Sequence, residues 1–312
     1  MQERMELFKE YEYCKLCPRQ CGANRQAGEK GICGAGARLR AASLTPHFGE
    51  EPSFTGQKGS GTIFLSGCSC QCVFCQNHQI SQSYAGRDYT ADAFYDATYA
   101  LTSKGVHNLN FVTPDHFWPH IRHICKRLRA EGDHIPIIFN TSGYQGAAMV
   151  DQYSDWVDIF LPDFKFAAPD LARQCMADPA YPEIALEGLR KMVEKKGFLH
   201  PWDPSGRHTA TTGVLVRHLA MPGRIDNTLA VLEILREEFG RFLPLSVMSQ
   251  YQPMPGSMDI GEMDRQLTES EYSEVCGKIE TLGFENVYIQ ELSSQSEFIP
   301  DFKKEQPFFG NR

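Results

Sequence analysis

Residues 62–77 read TIFLSGCSCQCVFCQN. Thr62–Leu65 is a short apolar run that suits a strand. In the loop after it, Cys68, Cys72 and Cys75 are spaced C-x3-C-x2-C, with aromatic Phe74 just before the last thiol. Three thiolates on one short loop can hold three irons of a cubane [4Fe–4S] cluster, whereas full protein ligation needs four. The fourth iron then keeps an open position for a small molecule, by the logic that separates catalytic from structural zinc sites. A zinc knuckle, or a cluster used only for electron transfer, is the plainer reading of the same spacing.

Working outward, short apolar runs alternate with amphipathic segments from about residue 60. The candidate strands are Thr62–Leu65, Asn108–Val112, Ile135–Phe139, Val157–Leu161, Val214–Leu219, Leu245–Met248 and Val287–Ile289. Between them, Phe94, Ala97 and Leu101 share a helical face, as do Phe117, Ile121, Ile124 and Leu128. Thr268 with Glu271 reads as a capping box before Tyr272, Val275, Ile279 and Leu282, with Gly283 as the stop. Strands alternating with helices imply βα units on a parallel sheet. Six or seven units suit a partial (β/α)6 TIM-like barrel. The segment His200–Thr212 (HPWDPSGRHTATT) has no apolar period and is long enough for a lid or a surface insertion.

Of 312 residues, 42% are hydrophobic and 22% charged, an ordinary globular balance. The net charge of −8 disfavours nucleic acid as a bulk partner, although residues 1–45 carry a local +3. Gly59 to Gly86 is free of Lys, Arg, Asp and Glu but too rich in Gln, Ser, Asn and Cys to span a membrane. The opening MQERMELFKEYEYC is charged throughout and is not expected to act as a secretory signal. A cytoplasmic location is expected, where clustered thiols mean metal more often than disulfides. Eight of the eleven cysteines fall in the first quarter. Cys14, Cys17, Cys21 and Cys33 stand in a Gly-rich stretch with little periodicity, which reads as a small module shaped by ligands. Four thiolates suit one closed zinc or a fully ligated auxiliary cluster. The expected division is therefore a Cys-rich module, residues 1–57, and a barrel, residues 58–312. Cys70 reads as a small buried hydrophobe that can compete as a ligand, and Cys125, Cys175 and Cys276 read as core.

The CxxxCxxC loop after the first barrel strand resembles the radical S-adenosylmethionine superfamily. GEEPSFTGQKGSGTIFLSGC, CVFCQNHQIS, NFVTPDHF, FNTSGYQ, DIFLPDFKF, YPEIALEGLRKM, GVLVRHLAMPG and VMSQYQP resemble, in order, the branch related to pyruvate formate-lyase activating enzyme. The N-terminal cysteines resemble a CxLCPRxCG…GxCG segment of that branch. The resemblance implies a [4Fe–4S] cluster on Cys68, Cys72 and Cys75 that binds and reductively cleaves S-adenosylmethionine. The resulting 5′-deoxyadenosyl radical would take hydrogen from a protein or peptide, a glycyl-radical enzyme being one case. It also implies a reductant such as flavodoxin or ferredoxin. Modification of another peptide or small molecule, and a non-catalytic iron–sulfur or zinc protein, are the alternatives.

Barrels place active sites at the C-terminal ends of their strands. Asn110, Thr113 and Pro114 stand where the superfamily binds the methionine amino group, and Thr113 or backbone carbonyls are the expected contact; a plain Pro turn is the alternative. Asp115 departs from the branch. Asn140, Thr141 and Ser142 are in line for the ribose or methionine carboxylate, or cap the next helix. Asp163 and Lys165 resemble the Asp-x-Lys segment of activating enzymes and are the expected catalytic pair, a surface ion pair being the alternative. Arg217 and His218 lie in an apolar strand, so one of them points inward. Arg217 is expected to meet the cofactor carboxylate, and His218 to be outward or a satisfied core residue. Gln250 and Tyr251 are expected toward the adenine or substrate end, or as turn residues. Glu50 and Glu51 either close the site or form a solvated pair.

Overall fold

The computed structural model describes residues 8–294, 299–304 and 306–308. The first seven residues of the opening segment lie outside that set. In chain order the elements are β1 (Leu39–His47), α1 (Pro52–Thr55), β2 (Ser60–Leu65), α2 (His78–Ser81), β3 (Arg87–Tyr89), α3 (Ala91–Thr102) and β4 (Leu109–Val112). There follow α4 (Trp118–Ala130), β5 (Ile137–Thr141), α5 (Ala147–Ser154), β6 (Ile159–Pro162), α6 (Pro169–Met176) and α7 (Tyr181–Lys196). The last are β7 (Gly213–Val214), β8 (Val216–Leu219), α8 (Ile225–Phe239), β9 (Leu245–Met248), α9 (Glu269–Leu282) and β10 (Val287–Ile289).

The main sheet runs β3-β1-β2-β4-β5-β6-β7 and a second runs β10-β9-β8. From β2 onward every pairing is parallel. β7 and β8 are one strand interrupted at Leu215: its first part pairs with β6 and its second with β9. An Asp163–Arg217 bridge continues the ladder across the join. The result is the expected mixed α/β core, a curved parallel sheet of the partial TIM-like type. All seven candidate strands occur, with the Ile135 segment shifted to start at Ile137. The two antiparallel strands, β1 and β3, had no clear period in the sequence. β1 carries part of residues 1–57 into the main sheet, because it hydrogen-bonds along β2 from Ala41 to His47.

The capping box at Thr268 and Glu271 forms as expected, and Gly283 closes α9 in the left-handed region at φ 66°. On α3 the buried stripe is Phe94, Tyr95, Thr98 and Leu101, with Ala97 at its edge. Cys125 and Cys175 are buried and Cys276 half-buried against the core.

The N-terminal end of the barrel is plugged by α1. Phe54 is fully buried among Ile138, Ile159, Leu161 and Leu215, and Asn108 Nδ2 donates to the Phe54 carbonyl at 2.9 Å. His200–Thr212 packs beneath this plug: Ala210 N–H donates to the Ser53 carbonyl at 2.8 Å, and Ser53 Oγ to the Asp203 carbonyl at 3.3 Å. It precedes β7, so it lies at the end opposite the strand C-termini and is a surface insertion, not a lid over them. Among the described residues, no helix is long and apolar enough to cross a membrane.

Candidate functional site

At the C-terminal ends of the parallel strands lies a cavity of about 440 Å³. Cys68, Cys72 and Cys75 line it, and so do Thr113, Asn140, Thr141, Ser142, Asp163, Lys165, Arg217 and Gln250. Period-two alternation aims those that lie on β8. In β8, Arg217 and Leu219 face inward and register with Ser246 and Met248 of β9, which line the cavity too. His218 faces the helices, where its ring nitrogens meet the Phe164 carbonyl at 2.6 Å and Thr228 Oγ1 at 3.0 Å. Burial lowers its pKa to about 4 and keeps it neutral. It is the satisfied core histidine.

The cysteine loop is folded by its own backbone. Gly67 has φ 91°, and a Cβ there would stand 2.6 Å from the Cys33 carbonyl. Gln71 is left-handed at φ 51° and donates from its amide to the Cys68 and Ser81 carbonyls at 2.8 Å each. Cys70 N–H reaches Cys68 Sγ at 3.4 Å, and Ser81 Oγ donates to Cys75 Sγ at 3.2 Å. A hydrogen bond from the Cys70 thiol, with the backbone donors of Cys70 and Gln71, outweighs burial and lowers Cys68 to about 7. Burial holds Cys70 well above the thiol range and raises Cys75 to about 12. Cys70 also lines the cavity, so it is more than a packing residue: its backbone N–H is the group that reaches Cys68 Sγ.

Thr113 takes φ 52°, an uncommon conformation for a β-branched residue, and donates its N–H to the Asn140 carbonyl at 2.9 Å. Asn140–Ser142 do not cap α5, whose N-cap Gly146 makes no side-chain bond. Thr141 Oγ1 donates instead to Gln145 Oε1 at 3.0 Å, and Gln145 Nε2 donates to Asp115 Oδ1 at 2.9 Å. Asp115 is thus buried behind the cavity wall, and burial raises it to about 6 against the bonds from Gln145 and Tyr153. Ser142 Oγ is buried without a hydrogen-bond partner.

Lys165 Nζ pairs with Asp163, both side chains largely buried. Burial opposes the ammonium charge, but Asp163 and then Cys72 hold its pKa well above the usual lysine value. Tyr181, quoted in the sequence only as part of a matching segment, ties this wall together. Its hydroxyl donates to the Ser142 carbonyl at 2.8 Å and accepts from Lys165 N–H at 3.0 Å. Its place on α7, remote in sequence, left no local signal of that role.

Arg217 meets an anion supplied by the chain itself. Nε donates to Glu51 Oε1 at 2.8 Å, and Nη2 bonds to both Glu50 and Glu51. The three side chains are 13%, 6% and 8% exposed. Glu50 and Glu51 therefore close the cavity floor rather than standing in solvent, with Asn110 Nδ2 on Glu50 Oε1 at 3.0 Å. Gln250 lines the cavity and accepts from Gln290 Nε2 at 3.0 Å. Tyr251 does not line it: its hydroxyl is bonded to Ser257 Oγ at 2.9 Å and the Met263 carbonyl at 2.7 Å.

The N-terminal thiols lie directly behind the cysteine loop. Cys14 and Cys33 are buried, Cys17 is half-buried and Cys21 exposed. Burial, with Cys33 and Cys14 nearby, raises Cys17 to about 12. A tetrahedral ion with bonds of about 2.3 Å needs its sulfurs within roughly 4 Å of one another. Among the described residues no three His, Cys, Asp or Glu side chains are drawn together to hold such an ion.

Residues 62–200 match the family model of the Radical SAM superfamily. Over that segment the chain is similar to the radical S-adenosylmethionine superfamily, a likeness that supports reductive cleavage chemistry on a [4Fe–4S] cluster with S-adenosylmethionine. Uncharacterized protein MJ0674 of Methanocaldococcus jannaschii is 26% identical over 296 residues, 91% of this chain and 80% of that protein. Among solved structures, Streptococcus suis SuiB bound to precursor peptide SuiA is 10% identical with a TM-score of 0.49, covering 75% of this chain and 49% of that one. A domain of pyruvate-formate lyase-activating enzyme from Bacteroides vulgatus is 13% identical with a TM-score of 0.39, covering 55% and 92%.

Proposed function

We propose that Cys68, Cys72 and Cys75 hold the [4Fe–4S] cluster and that the enzyme takes hydrogen from a protein or peptide, activation of a glycyl-radical enzyme being the particular case. The observation that carries this reading is the convergence of the three thiols and eight strand-end side chains, chosen from sequence, on one cavity. The donor set suits the group: three thiols, two of them receiving hydrogen bonds at sulfur, beside a buried hydroxyl, Ser142, that lacks a partner. When bound, cluster and S-adenosylmethionine supply the radical.

In this reading Thr113, Asn140, Thr141, Ser142 and Gln250 hold the methionine and nucleoside ends. Asp163 and Lys165 form the catalytic wall beside the cysteine loop. Arg217, its charge already met, shapes the floor with Glu50 and Glu51. The Cys-rich module of residues 1–57 and the barrel of residues 58–312 are the proposed working parts, in a cytoplasmic protein served by flavodoxin or ferredoxin. Cys14, Cys17, Cys21 and Cys33 hold a second metal group.

The test is anaerobic reconstitution, reduction and measurement of 5′-deoxyadenosine. The wild type is expected to form it, and Cys72→Ala to lose both the product and the cluster spectrum that responds to S-adenosylmethionine. A Cys72→Ala protein that keeps both overturns the ligand assignment. Deuterium carried from a labelled peptide into 5′-deoxyadenosine tests the substrate class.

A further inference from the structure

The cavity reaches below the strand ends. In β8 and β9, Arg217 and Ser246 stand two residues before Leu219 and Met248, about 7 Å deeper along the strands. β4 follows the same alternation. Asn110 stands two residues before Val112, which lines the cavity, and pairs with Ile138 of the cluster around the Phe54 plug. Glu50 and Glu51 join this layer from the turn before α1. Their backbone is pinned there: Thr55 Oγ1 donates to the Glu50 carbonyl at 3.0 Å, and Phe54 N–H to the Glu51 carbonyl at 2.8 Å. A polar layer therefore lies between the apolar plug and the strand-end residues proposed for the cofactor.

That layer holds one carboxylate more than its guanidinium can match. Among the described residues, the lysine and arginine that line the cavity are Lys165 and Arg217, and the carboxylates are Asp163, Glu50 and Glu51. Lys165 is taken by Asp163. Arg217 meets Glu51 through both Nε and Nη2, and only Nη2 reaches Glu50. His47 lines the cavity as well, but burial lowers its pKa, so it brings no charge to Glu50. Asn110 is fully buried and donates from Nδ2 to Glu50 Oε1 at 3.0 Å, while Oδ1 of the same amide is buried without a hydrogen-bond partner. A buried surplus charge and a buried unpaired acceptor are each costly, and one donor that carries positive charge relieves both. A neutral hydroxyl or amide would answer Asn110 alone.

We propose that this layer is a recognition pocket for the cationic head of a lysine or arginine side chain of the substrate, with Glu50 and Asn110 Oδ1 as its acceptors. The inference deepens the proposed function and rests on its reading of the cavity: the peptide is anchored by a basic side chain. Depth selects for length. A head group held about 7 Å below the strand ends leaves the methylenes of its own chain beside Leu219 and Met248. An apolar side chain of the same length would leave both acceptors unmet, and an acidic one would add to the surplus charge. The discrimination comes from those two penalties.

The experiment uses the full chain, reconstituted anaerobically and left unreduced, with S-adenosylmethionine present. Acetyl-Gly-Lys-Gly-amide, its arginine counterpart and its norleucine counterpart are titrated in by calorimetry. In the wild type the better of the two basic peptides is expected to bind about ten-fold or more tighter than the norleucine peptide, the worth of one hydrogen bond to a buried charge. Glu50→Gln keeps the shape of the floor and the Glu51–Arg217 pair, and should remove that preference. Equal affinities or no binding for all the peptides in the wild type, or a preference that survives Glu50→Gln, overturns the proposal. S-adenosylmethionine is titrated against both proteins as well. A Glu50→Gln protein that loses affinity for it while keeping the preference for a basic peptide assigns the surplus charge to the cofactor and overturns the proposal. Should Glu50→Gln not fold, Leu219→Lys decides: an ammonium supplied by the chain itself above the floor must abolish the preference, and an intact preference overturns the proposal. Failure of the underlying reading looks different, for then the reduced wild type forms no 5′-deoxyadenosine, whichever peptide it binds.

Discussion

Replacing Arg217 with Met removes the one cation that, among the described residues, forms an ion pair with the floor carboxylates, and leaves Glu50 and Glu51, 6% and 8% exposed, without it. Breaking a buried ion pair from one side costs about 3–5 kcal/mol, because the remaining charge stays desolvated. For a chain of this length that lowers Tm by roughly 5–8 °C. The pH dependence is the sharper signature. In the wild type, burial pushes the Glu51 carboxyl up, but Arg217 outweighs it and holds the group below the ordinary range. Its contribution to stability is therefore present above the unfolded value of about 4.3 and is lost as pH falls through the lower folded one. In Arg217→Met burial is opposed only by hydrogen bonds from Ser246 and the backbone, so the folded value rises and stability falls as pH rises from about 4 toward neutrality. Thermal unfolding at a series of pH values should show the gap between the two proteins widest near pH 7 and closing toward pH 5. Adding Glu50→Gln and Glu51→Gln should recover most of the loss. A deficit below about 1 kcal/mol at pH 7, or a gap that does not close on acidification, would refute a desolvated floor. It would leave the guanidinium free for a carboxylate of the cofactor.

Gly143 has φ 73° and a Cβ there would stand 1.8 Å from the Asp163 carbonyl, so Gly143→Ala should force the ends of β5 and β6 apart and cost about 3 kcal/mol in thermal unfolding. Gly277→Ala on α9, where a Cβ meets nothing within 4 Å, should be neutral or stabilising by up to about 1 kcal/mol; equal effects at both positions would count against the steric account. Because burial raises Asp115 to about 6, the wild type should lose about 2–3 kcal/mol as pH rises from about 4 to 6, a slope that Asp115→Asn removes in denaturant titrations.

The cysteine loop, the seven parallel strands and the strand-end polar residues could be read directly, because each is a local pattern: a spacing, a period of two, a side chain just past an apolar run. Arg217 shows where that reading stops. Alternation along GVLVRHLAMPG says that one of Arg217 and His218 points inward, and Arg217 does. Which anion it meets depends on residues more than a hundred and sixty positions away, brought over by the turn before α1. Tyr251 fails in the same way: adjacent to Gln250, it turns into the core because Ser257 and Met263 offer its hydroxyl partners there. Cys70 sits among the expected ligands in sequence, but only the fold of the loop aims its N–H at the Cys68 sulfur.

Local patterns thus named the parts: three thiols spaced C-x3-C-x2-C, alternating strands, and a Gly-rich stretch that carries four more thiols. Tertiary packing settled which parts touch. The Cys33–Cys68 hydrogen bond, the Tyr181 hydroxyl on the Ser142 carbonyl and the Glu50–Glu51–Arg217 floor each join segments far apart in the chain. The physical reason is that a buried charge or polar group must find its partner wherever the fold presents one, and distance along the chain has no bearing on that search.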